Sequence, residues 1–211
     1  MSYKTLTVST EGHIARITLD RPDRLNAMNA DFWNELPAAV RALDAGGDIR
    51  AIVIDANGKH FTAGLDLGMF GTPPDPADVT ARVQKAARFR HNTALMQQTF
   101  SALEDCRVPV IAALHGLFNE VLDSKEATLE RALEMAKEIA GKSPLAVHGC
   151  KRMITYARDH NTADSLDYVV TWNAGMLHSE EVMAAVTAGK TGEPGDYTPL
   201  PPLNDDVQGG V

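Results

Sequence analysis

Residues Ala51–Leu67, AIVIDANGKHFTAGLDL, carry the pattern in this chain best suited to chemistry. An apolar run, Ala51-Ile-Val-Ile-Asp55, enters a turn at Asn57-Gly58, and the chain re-emerges as Phe61-Thr-Ala-Gly-Leu-Asp-Leu67. A strand that ends in small residues and then enters a helix leaves backbone N–H groups unpaired, and such groups can hold an oxyanion. Ala63 and Gly64 are small enough to let a ligand approach the backbone. An ordinary strand–loop–helix connection has the same pattern, so both readings stand on the residues alone. No second centre is visible. The seven histidines do not cluster, and no metal-ligand spacing, phosphate-binding glycine loop or nucleophile elbow is present. His115, after an apolar run, reads as a core or turn histidine. Tyr168, Trp172 and Met176 share a helical face and read as core or as a subunit contact.

Such a loop needs elements to position it. Leu6 and Val8, then Ala15, Ile17 and Leu19, alternate with polar residues around Glu11-Gly12, the pattern of a β-hairpin. Arg21–Met28 reads as a loop. Asn29 is placed to cap a helix running to about Asp44, with Phe32, Leu36, Val40 and Leu43 on its apolar stripe. Pro37 predicts a kink or break in it, and Gly46-Gly47 its end. A short helix from Asp66 and a turn-rich loop, Gly71–Pro76, follow, the loop serving as a mobile rim or a simple connector. Residues 77 to about 104 read as a helix facing inward through Val83, Ala87, Leu95, Phe100 and Leu103. Pro109–Leu114 reads as a second buried strand, and the strand–helix alternation implies parallel pairing. Beyond it the pattern is purely helical. Asp123 with Glu126 forms a capping box for a helix ending at Gly141, and Ser143 with Pro144 starts the next. Asp164–Leu177 is a third, and Ser179 caps a fourth. Residues 191–211, rich in Pro, Gly and Asp, predict a loosely ordered tail. Two parallel strands and a hairpin make a thin sheet for six helices, a pattern that asks for further strands.

Phe61-Thr-Ala-Gly-Leu-Asp-Leu67 resembles the oxyanion and CoA-binding loop of the enoyl-CoA hydratase/isomerase (crotonase) superfamily. Leu19-Asp-Arg-Pro-Asp-Arg-Leu-Asn-Ala-Met28 resembles that family's first CoA-binding segment, and Val108-Pro-Val-Ile-Ala-Ala-Leu-His-Gly116 its next core strand. Lys142–Val147 and Asp167–Asn173 are similar to the dienoyl-CoA isomerase branch. The resemblance implies an α/β fold, a ClpP/crotonase-like spiral of ββα units with a C-terminal helical trimerisation region. It divides the chain into a core part, 1–116, a helical region, 117–190, and the flexible tail, 191–211. It also implies isomerisation or hydration of an unsaturated fatty acyl-CoA through an oxyanion-stabilised enolate, as in β-oxidation. By the same resemblance Ala63 supplies one oxyanion N–H. Arg24, Leu25 and Ala27 line the CoA arm, and Ala63, Gly64, Leu65, Asp66 and Leu67 line the pantetheine and thioester end. Arg24 is either a phosphate partner or a solvated surface arginine, and Asp66 either a helix cap or a substrate contact. Lys190 lies near a C-terminal lysine that some relatives place on the CoA phosphates. No cofactor is implied beyond the coenzyme A of the substrate.

The resemblance has one break. In the family, a Gly-rich segment supplying the second oxyanion N–H, and then the catalytic carboxylates, follow the His-Gly. Here His115-Gly116 runs directly into Leu117-Phe-Asn-Glu-Val-Leu122, which resembles a position far downstream. Roughly 70 residues are missing, about half a typical small domain. Glu120 and Asp123 follow the junction, but their matching positions are structural. Two readings follow: an enzyme whose central segment is absent from this sequence, or a catalytically inactive CoA-binding or assembly protein in which the deletion is genuine.

Composition bounds the rest. The chain has 211 residues, 44% of them hydrophobic, and a net charge of −8 with no Lys/Arg-rich run, which argues against nucleic acid or an anionic membrane as partner. Cys106 and Cys150 lie far apart and read as reduced thiols. No secretory, transit or peroxisomal address is visible and no apolar stretch is long enough to span a bilayer, so a cytoplasmic protein is the expectation, and the family resemblance implies a homotrimer or dimer of trimers.

Overall fold

The computed structural model describes residues 2–69, 75, 77–114, 122–176 and 178–203. Among them four strands form one sheet in the order β1-β2-β3-β4: β1 Leu6–Glu11, β2 Ile14–Leu19, β3 Ala51–Ala56 and β4 Val110–Ala112. The hairpin β1–β2 turns at Gly12, which takes φ +56°. The pairs β2–β3 and β3–β4 are parallel, as the alternation requires.

Helix α1, Ala30–Ala45, begins where expected: Asn29 Oδ1 accepts from Phe32 N at 3.0 Å. It runs through Pro37 without a break, with that ring buried. Phe32, Leu36 and Val40 pack on Leu6, Ile17, Ile52 and Ile54, one face of the sheet. The other face, Ala51 and Val53, is covered by Ala132 and Ala136 of α3, Lys125–Ala140. β3 is therefore buried on both faces, which is why it reads as a continuous apolar run rather than an alternating one. One polar residue lies within that run: Asp55, 2% exposed, accepts from Thr18 Oγ1 at 2.6 Å and pairs with Arg16.

Several expectations are corrected. Helix α2, Val79–Asp105, is capped by Asp78 and buries Thr99 and Ala102, whereas Val83, Leu95 and Phe100 are exposed. Only its C-terminal part meets α1, so among the described residues the apolar side chains along its first turns have nothing to pack on. β4 is half-buried rather than buried because it is the sheet edge. The cap of α3 is Ser124, whose Oγ accepts from Ala127 N at 3.1 Å, not Asp123. α4, Pro144–Asp159, starts at its Ser143 cap as expected. α5 spans Thr162–Met176 and α6 Ser179–Thr191, with His178 at the cap position and Ser179 already helical.

The tail expected to be loose is packed as far as Leu203. Tyr197 and Leu200 are buried, Leu203 N donates to Ala45 O at 2.7 Å, and Arg107 Nη1 donates to Pro201 O at 2.7 Å. Gly47, at φ +80°, is required there, because a Cβ would stand 2.2 Å from Leu200 O. The residues beyond 203, most of the Gly71–Pro76 loop and the His115–Gly116–Leu117 junction with Glu120 lie outside the described residues.

Candidate active site

Two loops leave the same end of the sheet. One continues β2 through Arg21–Met28, and the other continues β3 through Asn57–Leu67. Because Leu19 and Ala56 are register partners, the loops start side by side, and Asn57 N donates to Leu19 O at 2.8 Å.

Asn26 locks them together. Its Oδ1 accepts from Arg21 N at 2.8 Å, and its Nδ2 donates to Asn57 O and His60 O, both at 2.8 Å. Its own carbonyl accepts from Thr62 Oγ1 at 2.7 Å. Leu25 and Asn26 are both left-handed, at φ 51° and 52°. Asn tolerates that region and leucine rarely visits it, so the Asn26 bonds hold a conformation the chain would not choose. The result turns the Leu25 side chain outward, half exposed, at the rim of the assembly.

The β3 loop then runs beside the β2 loop as one parallel bridge, Met28 with Leu65. Met28 N donates to Gly64 O at 2.8 Å, Asp66 N to Met28 O at 3.0 Å, and Ala63 N to Leu25 O at 2.9 Å. In an extended segment successive backbone groups point to opposite sides. The Gly64 carbonyl and Asp66 amide point at Met28, so the Leu65 amide points the other way. Among the described residues it has no hydrogen-bond partner. Ala63, expected as the oxyanion donor, is corrected: its N–H is consumed by Leu25 O. The geometry that leaves a donor free belongs to Leu65, reached through Gly64 at φ +88°. The Gly64 amide is held by Thr62 Oγ1 at 3.0 Å.

Asp66 turns back on its own loop. Gly68 N donates to Oδ1 at 3.0 Å and Arg21 Nη1 to Oδ2 at 3.1 Å. The Gly68 N–H and then the Arg21 guanidinium hold this carboxyl below its ordinary value. It thus caps the short 3₁₀ turn Leu67–Met69, one of the two roles open from the sequence. Arg24 is a solvated side chain 4.0 Å from Asp23. Ala27 gives its carbonyl to Arg21, and Leu67 is exposed. Residues 24–27 and 63–67 meet through the bond from Ala63 N to Leu25 O. Lys190 lies in the last turn of α6, and among the described residues no hydrogen bond or ion pair joins it to this assembly.

Beside the loops, at the carboxyl ends of β3 and β4, an open cleft of about 240 Å³ runs between Lys59, His60 and Phe61 on one side and Asp123, Ser124 and Lys125 on the other. Lys125 Nζ closes its floor by donating to Gly58 O at 2.9 Å. Crevices at this end of parallel strands are where open α/β sheets bind ligands. Among the described residues no group of three His, Cys, Asp or Glu is placed to hold a metal ion, and no helix is long and apolar enough to cross a membrane. Arg21, Asn26 and Thr62, which build the site, were not among the expected residues. The available signal was Asn26 in a glycine-free loop between strand β2 and helix α1, where a left-handed turn needs Asn or Gly.

Residues 9–120 match the sequence model of a family described as enoyl-CoA hydratase/isomerase. The mitochondrial Delta(3,5)-Delta(2,4)-dienoyl-CoA isomerase of Rattus norvegicus is 29% identical over 262 aligned positions, covering 89% of this chain and 80% of the relative. Its Homo sapiens counterpart is 30% identical, covering 89% and 79%. A probable enoyl-CoA hydratase of Rhizobium meliloti (strain 1021) is 49% identical over 67 residues, which are 32% of this chain and 26% of that one. Among solved structures, an enoyl-CoA hydratase from Bacillus anthracis superposes with a TM-score of 0.77 at 16% identity, covering 92% of this chain and 99% of that one. One from Mycobacterium smegmatis gives 0.76 at 17%, covering 92% and 98%. These superpositions establish the α/β fold shared with those hydratases.

Proposed function

The chain belongs to the enoyl-CoA hydratase/isomerase family, and from that membership we propose that this enzyme isomerises an unsaturated fatty acyl-CoA, shifting its double bonds through an enolate. The observation that carries the mechanism is the Leu65 N–H, without a partner among the described residues, on the loop whose Phe61 lines the cleft. Removing a proton from carbon conjugated to a thioester moves charge onto the carbonyl oxygen. A fixed amide aimed at that oxygen stabilises the charge as it forms and needs no reorganisation. The Leu25–Met28 loop presents an apolar rim to the acyl-CoA, and Asn26 keeps both loops in register. An acid and a base then return the proton at another carbon. Isomerisation over hydration is supported by the alignments that cover 89% of this chain, which run to relatives named dienoyl-CoA isomerase, while the alignments to relatives named enoyl-CoA hydratase are weaker and cover 32% and 68% of it.

The reading includes a central segment missing from this chain after Gly116. It is supported by an alignment of 262 positions against a chain of 211 residues. The second oxyanion donor and the acid–base carboxylates are assigned to that segment by the family resemblance, so none is named here. It also includes a trimer or dimer of trimers, supported by the exposed Leu166, Val170, Val182, Met183 and Val186 on α5 and α6.

The test has two parts. The intact mass of the purified polypeptide is compared with 22.8 kDa, and turnover is followed by mass spectrometry with 3,5-dienoyl-CoA and 2-enoyl-CoA in ¹⁸O-water. Isomerisation leaves the formula of the product unchanged, whereas hydration adds labelled water. A mass of 22.8 kDa with no turnover of either substrate would reduce the function to CoA binding.

A further inference from the structure

Away from the cleft, the start of β4 holds a second reactive arrangement. Cys106 ends α2, and its buried Sγ lies 3.2 Å from Leu103 O and 3.3 Å from Val108 O. Lys151, on α4, reaches the same two carbonyls: its Nζ donates to Leu103 O at 2.9 Å and to Val108 O at 2.8 Å. Sharing both acceptors fixes amine and thiol against each other, with Nζ 3.3 Å from Sγ. The pair forms one wall of a cleft of about 160 Å³ that also meets His148 and Arg152, so a small oxidant has a route to the sulfur. Nothing in the acyl-CoA chemistry uses these groups.

We propose that Cys106 and Lys151 are a peroxide-dependent modification site, joined by an N–O–S bridge when the protein is oxidised. Cys106 S–H attacks hydrogen peroxide, the O–O bond breaks, and the sulfur becomes sulfenic acid with release of one water. Lys151, after losing a proton to solvent, is oxidised by a second peroxide. Its nitrogen bonds to the sulfenic oxygen, the N–H and O–H protons leave with the peroxide oxygens, and two waters form. The thiol, the amine and two peroxides thus give one bridge and three waters, a four-electron oxidation. Four equivalents of added thiol reverse it, returning the amine, the Cys106 thiol and one water. A one-atom bridge needs less approach across a 3.3 Å gap than a direct S–N bond does. Burial pushes the Cys106 thiol up, and the Lys151 ammonium offsets only part of this, so the first step is slow and the site responds to sustained oxidation.

Function follows from where the bridge lies. It ties α4 to the α2–β4 connection, pinning the C-terminal helices to the sheet. The test oxidises the full chain with excess hydrogen peroxide, quenches without reductant, and measures intact mass, a cross-linked peptide map and the melting temperature. The expected result is a species heavier by about 14 Da, one oxygen gained and two hydrogens lost. A peptide joining residues 106 and 151, a raised melting temperature and reversal by dithiothreitol are expected with it. C150S keeps the bridge. K151R, which retains the cation but not the nucleophilic amine, loses it. Gains of about 16 or 32 Da on Cys106 with no cross-linked peptide would overturn the proposal, as would an unmodified Cys106. A loss of about 2 Da would indicate a direct S–N bond and overturn the oxygen bridge. If K151R fails to fold, the peptide maps of wild type and C150S decide alone.

Discussion

Ala63 gives its N–H to the carbonyl of Leu25 at 2.9 Å, and two residues later the Leu65 N–H has no partner among the described residues. The first bond anchors the loop, and the second group is the proposed oxyanion donor. An amide-to-ester exchange at residue 65, made by semisynthesis, removes the donor without moving the side chain. It is expected to lower kcat by about 10²–10³, with KM little changed, the loss typical of one oxyanion donor. The same exchange at residue 63 is expected to lower the melting temperature first. Steady-state kinetics beside thermal unfolding separates the two positions. An unchanged kcat in the residue-65 ester would move the donor elsewhere.

Asn26→Ala leaves Arg21 N and the carbonyls of Asn57 and His60 without their partner. Three hydrogen bonds at about 1 kcal/mol each, plus a left-handed backbone that alanine resists, predict a loss of about 2–4 kcal/mol in denaturant unfolding. Asn26→Asp keeps the acceptor and loses both donors, so it is expected to be impaired as well. An N26A protein as stable as wild type would show that the two loops hold register without this side chain.

Leu200→Ala tests the packed tail. Leu200 is 6% exposed against the first half of the chain. A buried leucine truncated to alanine costs about 2–5 kcal/mol. A truly loose tail would show no change, which makes urea denaturation of this variant decisive.

Acidification should weaken the fold through His148. Burial on α4, beside the Arg107 and Arg152 charges, holds this imidazole below its ordinary 6.5, while the Arg107 carbonyl and Asp44 offset part of the shift. The unfolded chain therefore takes up a proton more readily than the folded one. The stabilisation is complete above about 6.5 and is lost as pH falls through the lower folded value. His148→Gln is expected to flatten that limb of a melting-temperature profile. An unchanged slope would assign it to other groups.

The hairpin and the parallel pairing were legible in the sequence because β3 and the hairpin carry strong, different periodicities. Three features were not. Which N–H of FTAGLDL is free depends on the register of one bridge, Met28 with Leu65, and a shift of one residue would exchange inward and outward groups. The exposure of Val83, Leu95 and Phe100 could not be read from their types, since helical spacing gives a face but not what covers it. The tail's Pro and Gly content reads as disorder, yet two arginines far upstream, Arg50 and Arg107, donate to its carbonyls and hold it.

That last contact sets a clock on synthesis. The bond from Leu203 N to Ala45 O joins a segment to one translated 158 residues earlier. Helix α1 and strands β1–β3 can pair as soon as they leave the ribosome, but the groove beside Gly47 stays unfilled until the segment around Leu200 has emerged. A nascent chain held before that point would carry open apolar surface, the condition under which chaperones engage and partly made chains aggregate. Closure over so long a separation in sequence is also the slow kind of folding step. Pulse proteolysis of stalled nascent chains would place the gain in resistance after residue 200 rather than at the end of the sheet.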